Sequence, residues 1–543
     1  LSMLGIDADV TGVKGAESFT SRIPAYYECK LKYADEIHTK YPHIFAPFGS
    51  KGSRKTFRVV CLYGTNNCDR ILKEIDAISR YNKDTIIFVD YAYQEADRGR
   101  LARELKKRRS NEIYMVVDRV LITYLAAHYQ KTSIASTLMN LAMPYSYYQP
   151  YVPDSMNYMP PEMFIGRSRE LNDIKSEKGV HMLYGGRQLG KSALLKKAQL
   201  EIDHNGDARA VYVDLKNAGV EESALRISEE LSQKKIFDQT ESYTDWNALC
   251  NAIRRAIRRS SIGYLLLLLD EGDAFIDDCK ECRYQPIDRL KSVMDDTEVS
   301  FKFVIAGLHN LVRYDHESST KDNSVIPHLR TLTIKPFTYS EARDLLQYPL
   351  SSLGIYFRDD EKNQALISTI LATTNYFPGL IQFYCSQLVD SLCRDDCPCY
   401  AGSNLPPYYV SETQIQKILA NEDFTAKIKE KFNITLALDK DNYYEILALS
   451  LAYLCLDQGI GIGYTSKEIL SNIQEFNISK VSNLSIERIS MLMDELVDLN
   501  IFRETDAGRY VFSRQNFMQL MGTQDEIFEA LCGYGSDNTE VKR

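Results

Sequence analysis

No apolar stretch in this chain is long enough to cross a bilayer. The most uniform one, Tyr264 to Leu269, falls far short of the ~20 residues a spanning helix requires. No charged-then-apolar leader opens the sequence, so the cytoplasm is the expected compartment. The first residue is Leu1 rather than Met, which suggests a processed product or part of a longer polypeptide. Cysteine is sparse, 12 in 543 residues, too few for a disulfide scaffold, and reduced thiols are expected. Two short clusters, Cys279 with Cys282 and Cys393 with Cys397 and Cys399, lie far apart in sequence, and neither has a second ligand pair beside it, which argues against zinc. An excess of positive charge is also lacking. The formal net charge of -9 excludes a protein whose whole surface tracks nucleic acid and leaves room only for a local basic patch. There is no internal repeat, no nuclease, protease or NAD-cleaving constellation, and no Asn-Lys-x-Asp guanine motif.

What is present is the composition of a folded protein, 44% hydrophobic and 26% charged, with length for roughly three or four domains. One octet stands out. Gly185-Gly186-Arg187-Gln188-Leu189-Gly190-Lys191-Ser192 fits G-x-x-x-x-G-K-S/T. Val180 to Tyr184 reads as a strand before it, and Ala193 to Leu200 as a helix after it. Glycines let backbone wrap closely around phosphate, while the loop N–H groups and the helix start offer partial positive charge. Lys191 would reach the β- and γ-phosphates, Ser192 would hold Mg²⁺, and Ala193 opens the helix. The bland alternative is a Gly-rich turn with a solvated lysine.

The order of patterns predicts an α/β chain built on a P-loop parallel sheet. Residues 1–142 read as an α/β domain, degenerate or incomplete, with strands at Phe57 to Tyr63, Thr85 to Asp90 and Ile113 to Val117 and helices at Asp69 to Tyr81 and Glu95 to Arg109. Asp90 at a strand end could mimic a metal-binding aspartate, but without a phosphate loop beside it a structural role is expected. Gly49 to Thr56 only superficially resembles a second phosphate loop, because no Gly precedes Lys55 and a strand follows. Pro144, Pro150, Pro153, Pro160 and Pro161 make 143–161 a linker. The P-loop core follows over 162–336, a helical lid over 337–440, a winged-helix-like domain over 441–535 and a tail over 536–543.

Tyr264 to Leu269 leads into Asp270-Glu271-Gly272-Asp273, a fully apolar strand ending in carboxylates, as in a Walker B strand. Asp270 there can coordinate Mg²⁺ and Glu271 can orient and deprotonate an attacking water, which together with Lys191 predicts hydrolysis. After the next strand, Phe301 to Leu308, the polar His309, Asn310 and Arg313 are candidate γ-phosphate sensors. Arg254, Arg255, Arg258 and Arg259 read as a solvated helix face, with an arginine finger as the minority reading.

Phe164-x-Gly166-Arg167-x-x-Glu170-Leu171, GGRQLGKS, LLLLLDEGD, the Ala306-Gly307-Leu308-His309-Asn310 strand end, a helical lid and a winged helix together resemble the STAND class of AAA+-related P-loop ATPases, in the ASCE division. The archaeal-type ATPase group is similar, and the resemblance covers about residues 162 to 531. It implies that Gly166 and Arg167 lie near the adenosine and that Pro378 closes over the base, although the usual Gly-x-Pro of the lid reads Tyr376-Phe377-Pro378 here. It also implies ATP with Mg²⁺ as cofactors and a switch that oligomerises or engages a protein effector. Many such bacterial proteins belong to anti-phage or other conflict systems.

Similar winged helices load onto DNA in origin-recognition ATPases. The candidate recognition helix, Ser485 to Leu499, carries Glu487, Asp494, Glu495 and Asp498 against Arg488, which disfavours major-groove entry. Ile486, Ile489, Leu492, Met493, Leu496 and Val497 read as core at helical spacing. Three readings follow: a signalling ATPase, a DNA-associated loader, and a non-hydrolysing scaffold held together by bound nucleotide.

Overall fold

The computed structural model describes residues 8–14, 26–31, 56–62, 67–78, 84–107, 113–128, 138, 141–142, 149–151, 163–203, 207–237, 242–259, 262–297, 300–308, 329–392, 407–439, 441–459 and 462–536. These fall into two units, residues 1–166 with 337–425 and residues 167–336 with 426–543.

In the first unit, β1 (Ala8–Lys14), β2 (Tyr26–Leu31), β3 (Thr56–Leu62), β4 (Thr85–Val89) and β5 (Tyr114–Asp118) form one sheet in that order. The three expected strands are β3 to β5, and they run parallel. The antiparallel additions β1 and β2 have no counterpart in the sequence reading. Successive crossovers of one hand place α1 (Cys68–Ile78) and α2 (Glu95–Lys107) on the same face. There Ile71, Ile75, Leu101 and Leu105 pack with Val60, Ile87 and Val116. Asp118 caps α3 (Arg119–Ala127), accepting from the Leu121 N–H at 2.9 Å. It also accepts from the Tyr93 N–H and the Arg98 guanidinium, while Asp90 pairs with Arg119. The strand-end carboxylates are thus engaged in holding the domain together.

The helical part of this unit comprises Tyr339–Ser352, Glu361–Thr373, Pro378–Leu392 and Glu412–Leu419. Thr338 and Glu341 form a capping box at its start. The described part of the Pro-rich linker, residues 149–151, is fastened to these helices. Tyr151, fully buried, donates from its hydroxyl to the Leu346 carbonyl at 3.0 Å, and Gln149 Nε2 donates to Ser386 O and Asp390 Oδ1.

The second unit opens with α4 (Ser168–Lys175) and then builds a sheet from β6 (Met182–Tyr184), β7 (Ala208–Asp214), β8 (Tyr264–Asp270), β9 (Phe301–Gly307) and β10 (Thr331–Thr333). The order is β10-β6-β9-β8-β7 and every pairing is parallel. Such a sheet is covered on both faces, which is why β8 is an unbroken leucine run rather than an alternating one. Leu265, Leu267 and Leu269 join Val211, Val213, Phe303 and Ile305 in a core closed by Trp246, Leu249 and Ile253 of α7 (Trp246–Arg259) and Ile287 and Leu290 of α9 (Gln285–Asp296). The other helices of the sheet are α5 (Lys191–Asp203), α6 (Val220–Gln233) and α8 (Asp273–Cys279). Cys279 lies in this core, and no group of three or more metal-ligating side chains is found among the described residues. Cys393, Cys397 and Cys399 lie outside them.

Toward the C-terminus come α10 (Tyr443–Gln458), α11 (Ser466–Glu475) and α12 (Ile486–Asp498), followed by the antiparallel hairpin β11 (Phe502–Glu504) and β12 (Tyr510–Phe512). A bridge between Tyr464 and Tyr510 adds a third short pairing. Ile489, Leu492, Met493 and Leu496 are buried, as expected; Ile486 is 45% exposed because it sits in the first turn, beyond the packed stripe. Two of the acidic side chains of α12 are spoken for. Glu495 is buried and accepts from the Tyr444 hydroxyl at 2.5 Å, and Asp494 accepts from Tyr510 at 2.8 Å. Among the described residues no helix is long and apolar enough to cross a membrane.

Candidate functional site

The loop after β6 needs its glycines for different reasons. Gly185 has φ 154, and a Cβ there would lie 2.6 Å from the Ile334 carbonyl oxygen on the chain leaving β10. Gly190 has φ 89 with open space around it, so its requirement is conformational. Gln188 also takes a left-handed conformation, φ 63. Gly186, at a variable position of the motif, touches a different element: a Cβ on it would lie 3.3 Å from the Leu499 carbonyl oxygen at the C-terminal end of α12.

Lys191 begins α5 and is 9% exposed. Its Nζ donates to Gly185 O at 2.7 Å and Gly186 O at 3.0 Å, so the ammonium lies against the backbone of its own loop. Burial lowers its pKa, and the carboxylates of Asp270, Asp273 and Glu271 oppose that shift. Ser192 follows, half-buried in the same turn, with Ala193 after it.

Asp270 ends β8 and is 2% exposed. One carboxylate oxygen, Oδ2, accepts from the Tyr212 hydroxyl at 2.7 Å, and the other accepts from the Glu271 N–H at 3.0 Å. Glu271 itself is exposed and adopts φ 53, a conformation that costs a non-glycine residue roughly 1–3 kcal/mol. Asp273 accepts the Leu308 N–H on both oxygens at 2.9 Å, and the Gly272 N–H donates to Ala306 O at 2.8 Å. The ends of β8 and β9 are thereby tied together. The strand order puts β9 between the loop strand β6 and the carboxylate strand β8, so the two motifs meet across an inserted strand.

Arg167 caps α4 with φ 60 and is buried. Its guanidinium donates to Leu189 O in the phosphate loop, to Lys335 O after β10, and to Glu170. Gly166, in the other unit, has φ 70 and packs where a Cβ would strike Glu341. Pro378 begins its helix in that unit, after a turn in which Asn375 and Tyr376 take φ 53 and 60. Tyr376 stands where the resembled pattern has glycine, and it keeps the left-handed conformation that a glycine would supply. His309, Asn310 and Arg313 lie outside the described residues. In α7, Arg254 pairs with Asp296, Arg255 reaches the Tyr243 hydroxyl, and Arg258 and Arg259 are exposed.

The residues brought together fit a nucleotide triphosphate with a divalent cation. A buried ammonium needs an anion, the loop curls around the start of a helix, and the Ser192 hydroxyl and Asp270 carboxylate are hard oxygen donors of the kind Mg²⁺ takes alongside phosphate. Sequence reasoning assigned no role to Tyr212 or Asp273. Tyr212 could have been found by counting back two residues from Asp214, since alternation places both on one face; Asp273 could have been found as the first residue of the helix after the strand.

No family model matches the chain, and no curated protein matches it. Among solved structures, domain III of the replication initiation protein DnaA from Thermotoga maritima aligns with 48% of this chain and 95% of its own, at 13% identity and a TM-score of 0.30. The FIGL-1 AAA domain in complex with ADP aligns with 49% and 88%, at 12% identity and a TM-score of 0.29. Drosophila ORC bound to DNA aligns with 68% and 94%, at 12% identity and a TM-score of 0.23. At likenesses this low, the description of the site rests on its own strand order and side chains.

Proposed function

We propose that this chain is an ATP-binding and ATP-hydrolysing switch of the STAND/AAA+ kind. The observation that carries the reading is the buried Lys191 ammonium on the glycine loop, set against Asp270 at the end of β8 and Glu271 just after it. Lys191 and the loop N–H groups bind the phosphates, with Arg187 to Gly190 forming the cradle. Ser192 and Asp270 hold Mg²⁺, which when bound neutralises phosphate charge. Glu271 orients the attacking water and accepts its proton. The parallel order with β9 inserted between β6 and β8 is the one the ASCE division implies.

Three further parts of the reading rest on the resemblance. The helices within 337–440 act as the lid, with Pro378 at the base and Gly166 and Arg167 at the adenosine. The strand end at His309, Asn310 and Arg313 senses the γ-phosphate. The helices α10 to α12 with the β11–β12 hairpin form a winged helix. Leu499 at the end of its recognition helix lies against Gly186, a route by which phosphate-loop occupancy would bias domain arrangement or assembly. Membership of an anti-phage or other conflict system rests on the resemblance alone. The origin-recognition alternative is the weaker, because Arg488 is the single basic residue of α12. A scaffold that never hydrolyses is disfavoured by the intact Lys191, Asp270 and Glu271.

Lys191→Ala is expected to abolish ATP binding and turnover, and Glu271→Gln to bind ATP while losing turnover by about two orders of magnitude or more. Isothermal titration with ATP and a phosphate-release assay read both; unchanged turnover in Lys191→Ala would sink the site. The solution mass of Glu271→Gln with ATP and with ADP then separates an assembling switch, which enlarges only with ATP, from a conformational one.

A further inference from the structure

Tyr212 lies beside the site without belonging to any of its sequence motifs. It is on β7, which pairs with β8 in the register Tyr212 to Leu268 and Asp214 to Asp270. Neighbouring residues of a parallel pair project to the same face, so Tyr212 stands on the Asp270 face one side-chain repeat back, roughly 7 Å along the strand. A tyrosine spans that distance and places its hydroxyl 2.7 Å from Asp270 Oδ2. Serine or threonine at the same position would stop short. The ring is itself held, with the Lys196 ammonium of α5 lying 5.0 Å from its centroid. A hydroxyl on a clamped ring is a fixed donor.

That donor acts on a carboxylate whose other oxygen is also committed, since Asp270 Oδ1 accepts the Glu271 N–H at 3.0 Å. With an O–H on one oxygen and an N–H on the other, the carboxylate plane cannot rotate without losing a bond. The second of these bonds also supports the left-handed backbone of Glu271, φ 53. Resting on the reading of this site as an ATPase, we propose that Tyr212 is a positioning residue: through Asp270 it fixes both the oxygen face offered to the divalent cation and the backbone that aims Glu271. Partners that orient a metal ligand in this way typically govern affinity or activity by about 10- to 100-fold.

Tyr212→Phe removes the hydroxyl and keeps the ring under Lys196. Binding of a fluorescent ATP analogue in EDTA should match the unmodified protein, because Lys191 and the loop are untouched. The Mg²⁺ concentration for half-maximal tightening of that binding should rise about ten-fold, and at saturating Mg²⁺ kcat should fall by a similar factor with KM for ATP kept. A purely structural bond would instead lower the melting temperature and leave the Mg²⁺ midpoint and the KM-to-kcat split unmoved. A wild-type midpoint and kcat in Tyr212→Phe, with Glu271→Gln still inactive, would overturn this role and leave the ATPase reading standing. An unmodified protein whose nucleotide binding ignores Mg²⁺ would overturn both. If Tyr212→Phe folds poorly, Lys196→Met tests the same clamp from the other side of the ring, with a smaller shift in the midpoint expected and no shift overturning it.

Discussion

Gly185 shows how much of a functional loop is decided by a single missing carbon. Its φ of 154 is open to glycine, and the Ile334 carbonyl oxygen occupies the place where a Cβ would go. Because that oxygen belongs to backbone paired with Tyr184, it has no rotamer through which to yield. Gly185→Ala is therefore expected to destabilise the protein by about 1–3 kcal/mol from backbone strain before any clash is counted. A fall in the urea midpoint at unchanged slope would show it. Glu271 is the reverse case, a residue that needs its side chain and tolerates a left-handed backbone to place it. The sequence pattern found both positions, but only the fold explains why one must be bare and the other strained.

At the scale of elements, two buried basic groups, His181 just before β6 and Lys302 on β9, lie at the end of the sheet opposite the phosphate loop. Lys302 is fully buried and donates to Asp173 O, Ile174 O and Ser176 O, the carbonyls that α4 leaves open at its C-terminus. Burial brings its pKa down to about 7, with Asp173 opposing and Arg330 adding to the fall. His181 packs against Phe303, and neither ring nitrogen has a hydrogen-bond partner among the described residues. Burial first, then Lys302 and Lys291, lowers its pKa to about 4 from an ordinary 6.5. Between those values the unfolded chain binds more protons than the fold does, so stability rises with pH across the window. The contribution is fully present above about pH 6.5 and is lost as pH falls through about 4. Its size is on the order of 3 kcal/mol. Chemical denaturation at pH 7 and pH 4.5 should show His181→Leu losing less stability than the unmodified protein; equal losses would mean that other groups govern the acid limb.

At the scale of the whole molecule, the proposed switch depends on whether the C-terminal domain restrains the phosphate loop. Gly186 offers a clean probe, because it sits at a variable position of the motif and its φ lies outside the left-handed region. An alanine there meets the Leu499 carbonyl oxygen at 3.3 Å, a contact that must give by a few tenths of an ångström. Gly186→Ala is expected to speed the release of a fluorescent ADP analogue several-fold, by analogy with the modest coupling energies of about 1–3 kcal/mol typical of linked sites. Unchanged release in stopped flow would mean that the contact does not restrain the loop.

Local chemistry alone determined a good deal of this protein. The octet around Lys191 and the leucine run before Asp270 are short-range patterns, and the strand and helix expectations drawn from them agree with the structure to within a few residues. The packed stripe of α12 was equally legible, apart from Ile486 in its first turn and Val497, which is only half-buried. Tertiary structure decided what pairs with what. No local signal says that β9 enters the sheet between β6 and β8, because sheet order depends on crossovers dozens of residues long. For the same reason the sequence could not show that Tyr212 would bond Asp270, that Lys302 would close α4, or that Leu499 would meet Gly186. Each of those contacts joins segments far apart in the chain, and only the packed sheet and helices bring their atoms within reach.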